Sequence, residues 1–354
     1  MLTIEKIQDW NMVASLKSEW ELLSKGIQNE FYLSFPWVMN WCQCFGSGCT
    51  PFFVRVRENS STVAILPIVI SQGTLKKLPV RELTLCTNGH SILGGIIAPH
   101  QEEEIGKAVW EFLKTQKEWD LFYMTNIPKG ACGYSFQNLC ELCGLSSRTF
   151  TSFMYNLSFK GSWEEYWKNQ SANFRSNHNK ALRKLERRGE LTFRVSESKQ
   201  EFIDDMDILF EVDSKSWKKD GGEVMSDYAQ LVNYYKGFGS AVAGCGRSFV
   251  SILSVGGNPI AAMLNIDVGG WNYGAKISCI EDSENSSPGF LLLIYSLRDA
   301  WLKGKKGFCF LSGDNVWQRF RGDKQEVVSR MVFNPSVYGR ILSLVDTFTR
   351  KLNV

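Results

Sequence analysis

Two stretches of the chain carry the same run of elements in the same order. Phe53-Val54-Arg55-Val56, a polar turn and Ala64-Ile65-Leu66 match Phe249-Val250-Ser251-Ile252, a polar turn and Ala261-Ala262-Met263. In each, the hairpin leads to a helix and then to another strand: residues 109–113 and 121–124 in the first, residues 291–302 and 308–311 in the second. A repeated α/β unit restricts the chain to two similar domains, and 354 residues suit about two domains of average size. We place the domains at 1–155 and 156–354, the second including a basic linking helix over 162–189, and leave open whether Ser336 to Val354 folds back onto the first copy.

The copies differ where their helices begin. The first opens Gln101-Glu102-Glu103-Glu104, whose carboxylates repel phosphate. The second opens Ser287-Pro288-Gly289-Phe290. Ser287 can cap this helix, Pro288 suits its first position, and Gly304 ends it. Gly289 lets another group approach the backbone closely. With no carboxylate in the first turn, the N–H groups and the positive end of the helix dipole are open to an anion. A plain helix cap has the same sequence; but only the second copy is built to hold an anion, and Ser287, Pro288, Gly289 and Phe290 are the candidate cofactor-binding residues.

Elsewhere the spacing predicts a helix over 5–27 and a second carrying Phe31, Ser34, Trp37 and Trp41. Apolar runs at 52–56 and 63–70 flank the polar turn Glu58-Asn59-Ser60-Ser61, a hairpin signature. Residues 83–86 and 92–97 read as strands, 101–115 as a helix and 120–125 as a strand. His90, between two strand candidates, reads either as a loop or core histidine or as a base without an identifiable acid. Residues 162–189 read as one helix whose Ser162 and Glu165 make a capping box. Arg175, Asn179, Arg183 and Arg187 recur every four residues and share one face of it. That face is either simply solvated, or grips a phosphate through the arginine forks, or touches tRNA. Another helix covers about 201–216.

Composition narrows the class. Hydrophobic residues make up 44% and aromatic residues 13%, which suits packed cores. A net charge of +3 is too mild to argue for nucleic acid or membrane binding as a class. No apolar run is long enough for a transmembrane helix, and the first residues do not form a signal peptide. Cys42-x-Cys44 and Cys140-x-x-Cys143 each lack the partners of a zinc site, so the ten cysteines read as reduced thiols and no metal is expected. We expect a soluble, cytoplasmic protein.

The ordered series Trp163 to Tyr166, Phe174-Arg175, Leu185-Glu186-Arg187-Arg188-Gly189, Ser216-Trp217-Lys218, Gly257-Asn258-Pro259, Lys276, Ser287-Pro288-Gly289-Phe290 and Leu311-Ser312-Gly313-Asp314 resembles the cellulose-biosynthesis acetyltransferase-like family of GNAT proteins. The resemblance extends over nearly the whole chain through Phe31, Trp37, Leu66-Pro67, Asp120 and Ile127-Pro128. That family is similar in fold to the Fem aminoacyltransferases. The resemblance implies an α/β fold of tandem GNAT-like domains, with mixed central sheets flanked by helices; the acidic helix opening at Glu102-Glu103-Glu104 is what leaves the first domain without cofactor. It further implies an acyltransferase using an acyl-CoA, acetyl-CoA foremost, and a small-molecule or glycan-precursor acceptor bearing an amine or hydroxyl. Arg175, Trp217, Lys218, Lys276 and Arg319 then become the positions expected to face substrate.

Acyl transfer needs a base for the attacking group and a donor for negative charge on the acyl oxygen. Glu281, Asp282 and Asp314 are the candidate bases, each otherwise a surface carboxylate. GNAT folds commonly supply the oxyanion donor from a backbone N–H of a splayed central strand. This chain departs from the family at Cys309, where an acidic residue is usual, and at Trp317-Gln318, where a tyrosine-lysine pair is usual. Those departures support a rival reading, a binding or scaffold protein that has lost the chemistry. The basic helix supports another, an aminoacyl-tRNA donor.

Overall fold

The computed structural model describes residues 1–352 except 26, 28, 29, 92, 222, 223, 281–285 and 312–314. By compactness the chain divides into one unit of Met1–Ser152 with Glu326–Val354 and another of Phe153–Gln325. The segment from Glu326 onward therefore packs with the first unit, where sequence alone had assigned it to the second and left only Ser336 to Val354 open.

The first unit contains β1 (Leu2–Ile7), α1 (Trp10–Ser15), α2 (Lys17–Ser24), α3 (Phe35–Phe45), β2 (Thr50–Pro51), β3 (Phe53–Glu58), β4 (Ser61–Leu66), β5 (Ile68–Leu75), β6 (Leu78–Leu85), α4 (Glu102–Thr115), β7 (Leu121–Pro128) and α5 (Phe136–Leu142). The strand β8 (Ser147–Ser158) leads into the second unit: α6 (Trp163–Asn169), α7 (Ala172–Glu186), β9 (Leu191–Val195), α8 (Lys199–Ser214), α9 (Ala229–Ala241), β10 (Gly246–Val255), β11 (Asn258–Val268), β12 (Trp271–Cys279), α10 (Pro288–Leu302) and β13 (Gly307–Cys309). The chain then returns through β14 (Asp323–Phe333) to α11 (Val337–Leu352) in the first unit.

The repeat is realised in the strand order. The second unit runs β9-β10-β11-β12-β13-β8, antiparallel except for β12 and β13. The first runs β1-β3-β4 in one sheet and β2-β5-β6-β7-β14 in another, with only β6 and β7 parallel. Pro67 makes the difference: between β4 and β5 it has no N–H for a ladder, so the strand that is continuous as β11 is here divided. Each parallel pair is bridged by one helix, α4 or α10, as a parallel crossover requires. Trp110, Trp119 and Phe122 fill the first core, and Phe174, Leu292, Phe308 and Phe320 the second. Each such side chain contributes about 1.5–3 kcal/mol by burial.

Several expectations shift. The first helix begins at Trp10, where Asp9 accepts from the N–H groups of Asn11 and Met12, and the residues before it form β1. The 162–189 segment is two helices: the box at Ser162 and Glu165 starts α6, and Ser171 separately caps α7. The described residues of 92–97 contribute only an isolated bridge, Ile97 to Ile65. The β5–β6 hairpin turns at Lys76-Lys77 with φ of 50° and 70°, a geometry usually marked by asparagine or glycine and so not announced here.

Candidate active site

One strand positions the site. β12 pairs with β13 through Trp271, Asn272 and Tyr273, and among the described residues no strand pairs with it on that side through residues 274–279. In the first unit β6 pairs with β7 through Thr84 and ends at Leu85, so no such opening follows. Along β12 the N–H groups alternate between its two sides. The Ile280 N–H donates to Ile260 O of β11 at 3.0 Å, which turns the N–H groups of Ile277 and Cys279 toward the open side. Their side chains meet the start of α10: a Cβ built on Gly289 would lie 3.4 Å from Cys279 Sγ and 3.8 Å from Ile277 Cδ1.

The α10 start differs in detail from its sequence reading. Pro288 occupies the first turn and no carboxylate does, as expected. Ser287, however, adopts a left-handed conformation, φ 54° and ψ 54°, and its side chain makes no capping bond. Its carbonyl instead accepts from the N–H groups of Phe290 and Leu291. At the far end Gly304, with φ 66°, lets the Lys305 N–H return to Ala300 O and close the helix.

Two cavities meet at this point. One, of 640 Å³, is walled by Lys180, Arg183 and Lys184 of α7 with Arg187 just after it, by Ser287 and, in α10, Gly289 and Phe290, and by Arg319. Among the described residues Lys180, Arg183 and Arg187 form no ion pair, so their charge faces this space uncompensated. The second, of 270 Å³, is walled by Trp217, Lys218, Ile277, Ser278, Trp317 and Arg319, among others. Cys279, Gly289, Phe290 and Arg319 belong to both walls. The Arg319 guanidinium lies 4.5 Å from the centre of the Phe290 ring.

Under the second cavity lies a charge cluster that sequence reasoning missed. Asp213 has no exposed surface. Its Oδ1 accepts from Lys218 Nζ and from Ser278 Oγ, each at 2.6 Å, and its Oδ2 from the Met225 N–H at 2.8 Å. Burial opposes ionisation, but Lys218, the Met225 N–H and Ser278 outweigh it and hold this carboxyl below the usual range. The signal was present: Asp213 follows Met206, Leu209 and Phe210 at helical spacing, which puts it on the buried face of α8.

The remaining predicted residues separate. Trp217 is 63% exposed and lines the second cavity beside Lys218. Arg175 donates to the carbonyls of Lys168 and Gln170, closing the end of α6 and standing outside the described walls of both cavities. Lys276 points to the opposite face of β12, 5.9 Å from the centre of the Tyr235 ring. Glu281, Asp282 and Asp314 lie outside the described residues. Of the departures from the family, Cys309 is a core residue whose Sγ is 3.9 Å from Met154 Sδ, and burial pushes its thiol up to about 12. Trp317 stacks on Phe310 with ring centres 5.5 Å apart, and its buried Nε1 has no partner among the described residues. Among those residues no cluster of metal-ligating side chains occurs, and no helix is long and apolar enough to cross a membrane.

Residues 172–319 match the family model described as an acetyltransferase (GNAT) domain. No curated relative matches the chain by sequence. Among solved structures the fold is similar to that of FemX: 12% identity, 96% of this chain and 100% of that one covered, TM-score 0.61. It is also similar to a tandem GNAT protein from the clavulanic acid biosynthesis pathway: 12% identity, 95% and 100% covered, TM-score 0.51. At such identity these likenesses speak for the fold alone. The chain has the tandem GNAT fold, and the part of its second unit over residues 172–319 is similar to a GNAT acetyltransferase domain.

Proposed function

We propose that the second unit transfers an acyl group from an acyl-CoA, acetyl-CoA foremost, to an amine or hydroxyl of an acceptor, and that the acceptor is a sugar or a cell-surface polysaccharide precursor. The observation that carries this reading is the meeting of a basic cavity and a second, aromatic one at Gly289 and Cys279. A thioester supplies the activated acyl group; everything else is the chain's own. Lys180, Arg183, Lys184 and Arg187 hold phosphate groups through charge-assisted hydrogen bonds. The N–H groups of Ile277 and Cys279, turned into the opening beside β12, stabilise negative charge on the acyl oxygen. Trp217 and Trp317 offer flat faces to an acceptor ring. The proton of the attacking group goes to a carboxylate, for which Glu281, Asp282 and Asp314 remain the candidates from sequence.

Calorimetric titration of wild type and Gly289→Glu with acetyl-CoA and free CoA tests this. Binding by wild type that is lost in the variant supports the reading; a folded wild type that binds neither ends it. A second reading, an aminoacyl-tRNA donor, draws on the exposed basic residues of α7 and on the Fem-like fold. Binding of tRNA with a steep loss as salt is added would favour it, because counterion release follows phosphate contacts.

A further inference from the structure

On α11 the side chains of Val337, Ile341, Leu344 and Phe348 are 78%, 46%, 58% and 63% exposed. Their spacing puts all four on one narrow stripe of the helix. The opposite side is already used: Leu342 is buried against Leu75 and Val80, and Asp346 is buried and paired with Arg148 at 2.8 Å. Asp346 is the one carboxylate in the sequence of α11, so its outer surface carries no negative side chain. Exposed cations flank the stripe instead. Arg340 lies along one border. On the other side stands the Lys76-Lys77 turn, anchored to the start of α11 by the Tyr338 hydroxyl, which donates to Pro79 O at 2.7 Å.

We infer that α11 is an interfacial helix that seats this protein on an anionic lipid surface. An apolar stripe with a basic border and no exposed acid is complementary to a bilayer whose face is negative and whose acyl region begins just beneath. A second copy of the chain fits less well. The four side chains together expose on the order of 400 Å², about half of the ~800 Å² that each partner contributes to a standard interface. Two like stripes would also bring two like basic borders together. This inference is independent of the transferase reading.

Co-sedimentation with vesicles tests it. Full-length protein is mixed with pure phosphatidylcholine vesicles and with mixed phosphatidylcholine–phosphatidylglycerol vesicles. Wild type should pellet with the mixed vesicles and at least about tenfold less with the neutral ones. Leu344→Glu/Phe348→Glu should weaken the association by about tenfold or more without changing the thermal melting curve, since both side chains are already in solvent. Should that variant misfold, Arg340→Glu/Lys77→Glu serves in its place, with loss confined to the anionic vesicles. Wild type remaining in the supernatant with both vesicle types overturns the proposal. So does a dimer in solution that Leu344→Glu/Phe348→Glu dissociates while wild type ignores lipid.

Discussion

Lys218 Nζ lies 2.6 Å from Oδ1 of Asp213, a carboxylate wholly removed from solvent, and 3.2 Å from Ser278 Oγ. One acid thereby ties together α8, the turn Trp217–Gly221 and β12, and fixes a wall of the second cavity. Removing the ammonium leaves that acid buried without its counter-charge. Lys218→Met is expected to cost about 3–5 kcal/mol in urea denaturation at neutral pH.

The pH dependence of that loss has a definite sign. In the unfolded chain an aspartate titrates near ~3.9. In the folded wild type Asp213 lies lower, so its contribution is complete above about pH 4 and is lost as pH falls through the depressed value. In Lys218→Met burial is no longer opposed by the ammonium, which raises the carboxyl and favours its neutral form. The gap between wild type and variant should therefore be widest near neutrality and narrow in acid. A gap that widens below pH ~4 would contradict the pairing.

Arg183 and Arg175 share a helix but have different work. Arg183 is exposed on the wall of the 640 Å³ cavity, while Arg175 closes α6. Arg183→Glu should weaken acetyl-CoA binding by about 10- to 100-fold, the loss of one or two charge-assisted contacts, with stability changed by less than about 0.5 kcal/mol. Arg175→Ala should do the reverse, costing about 1 kcal/mol of stability and leaving donor affinity unchanged. Calorimetry and thermal melting on both variants separate the two roles, and a loss of donor binding in Arg175→Ala would reject the assignment.

That contrast shows which parts of the molecule were legible in the sequence. Signals contained within a few residues survived: Pro288 at a helix start, the Ser162–Glu165 box, a helix opening without carboxylates, and the order of elements in the repeat. Signals that depend on distant partners did not. Nothing local says that Arg175 turns back to α6, or that β14 returns after the whole second unit to pair with β7. Ser287 looked like a cap because serine usually is one, yet its left-handed backbone carries the side chain away from that role. The Asp213–Lys218 pair bridges two neighbouring segments, but only the fold reveals that Ser278, far along the chain, completes it.

The first unit offers a control for the second. There the helix start is occupied by its own acid: the Glu102 carboxylate accepts from the Gly133 N–H at 2.6 Å and from the Ser135 hydroxyl. Glu102→Ala should cost about 1–3 kcal/mol of stability, because it strands a backbone N–H and a hydroxyl. Burial, with the Glu102 charge adding to it, also raises the Glu30 carboxyl against the bonds from the Cys132 N–H and Tyr32, so the substitution should bring Glu30 down. Acetyl-CoA affinity should not change. If it falls together with stability in Glu102→Ala, donor binding is not confined to the second unit.

Cys279 stands where the two cavities join, which makes it a sensitive reporter and tests how the acyl oxygen is held. Burial pushes its thiol up, against smaller opposing effects of the Gly289 N–H and the Lys218 charge. Only the thiolate alkylates quickly, so iodoacetamide should label Cys279 slowly at neutral pH, with the rate still climbing beyond the ordinary thiol range near ~8.5. Saturating acetyl-CoA should suppress that labelling, as followed by peptide mass spectrometry. Cys279→Ser retains the backbone N–H on which the proposed oxyanion contact depends, and should keep turnover within a few-fold of wild type. If it abolished turnover while donor binding persisted, the thiol itself would take part in the chemistry, and direct attack by the acceptor with the backbone as the strand's sole contribution would be rejected.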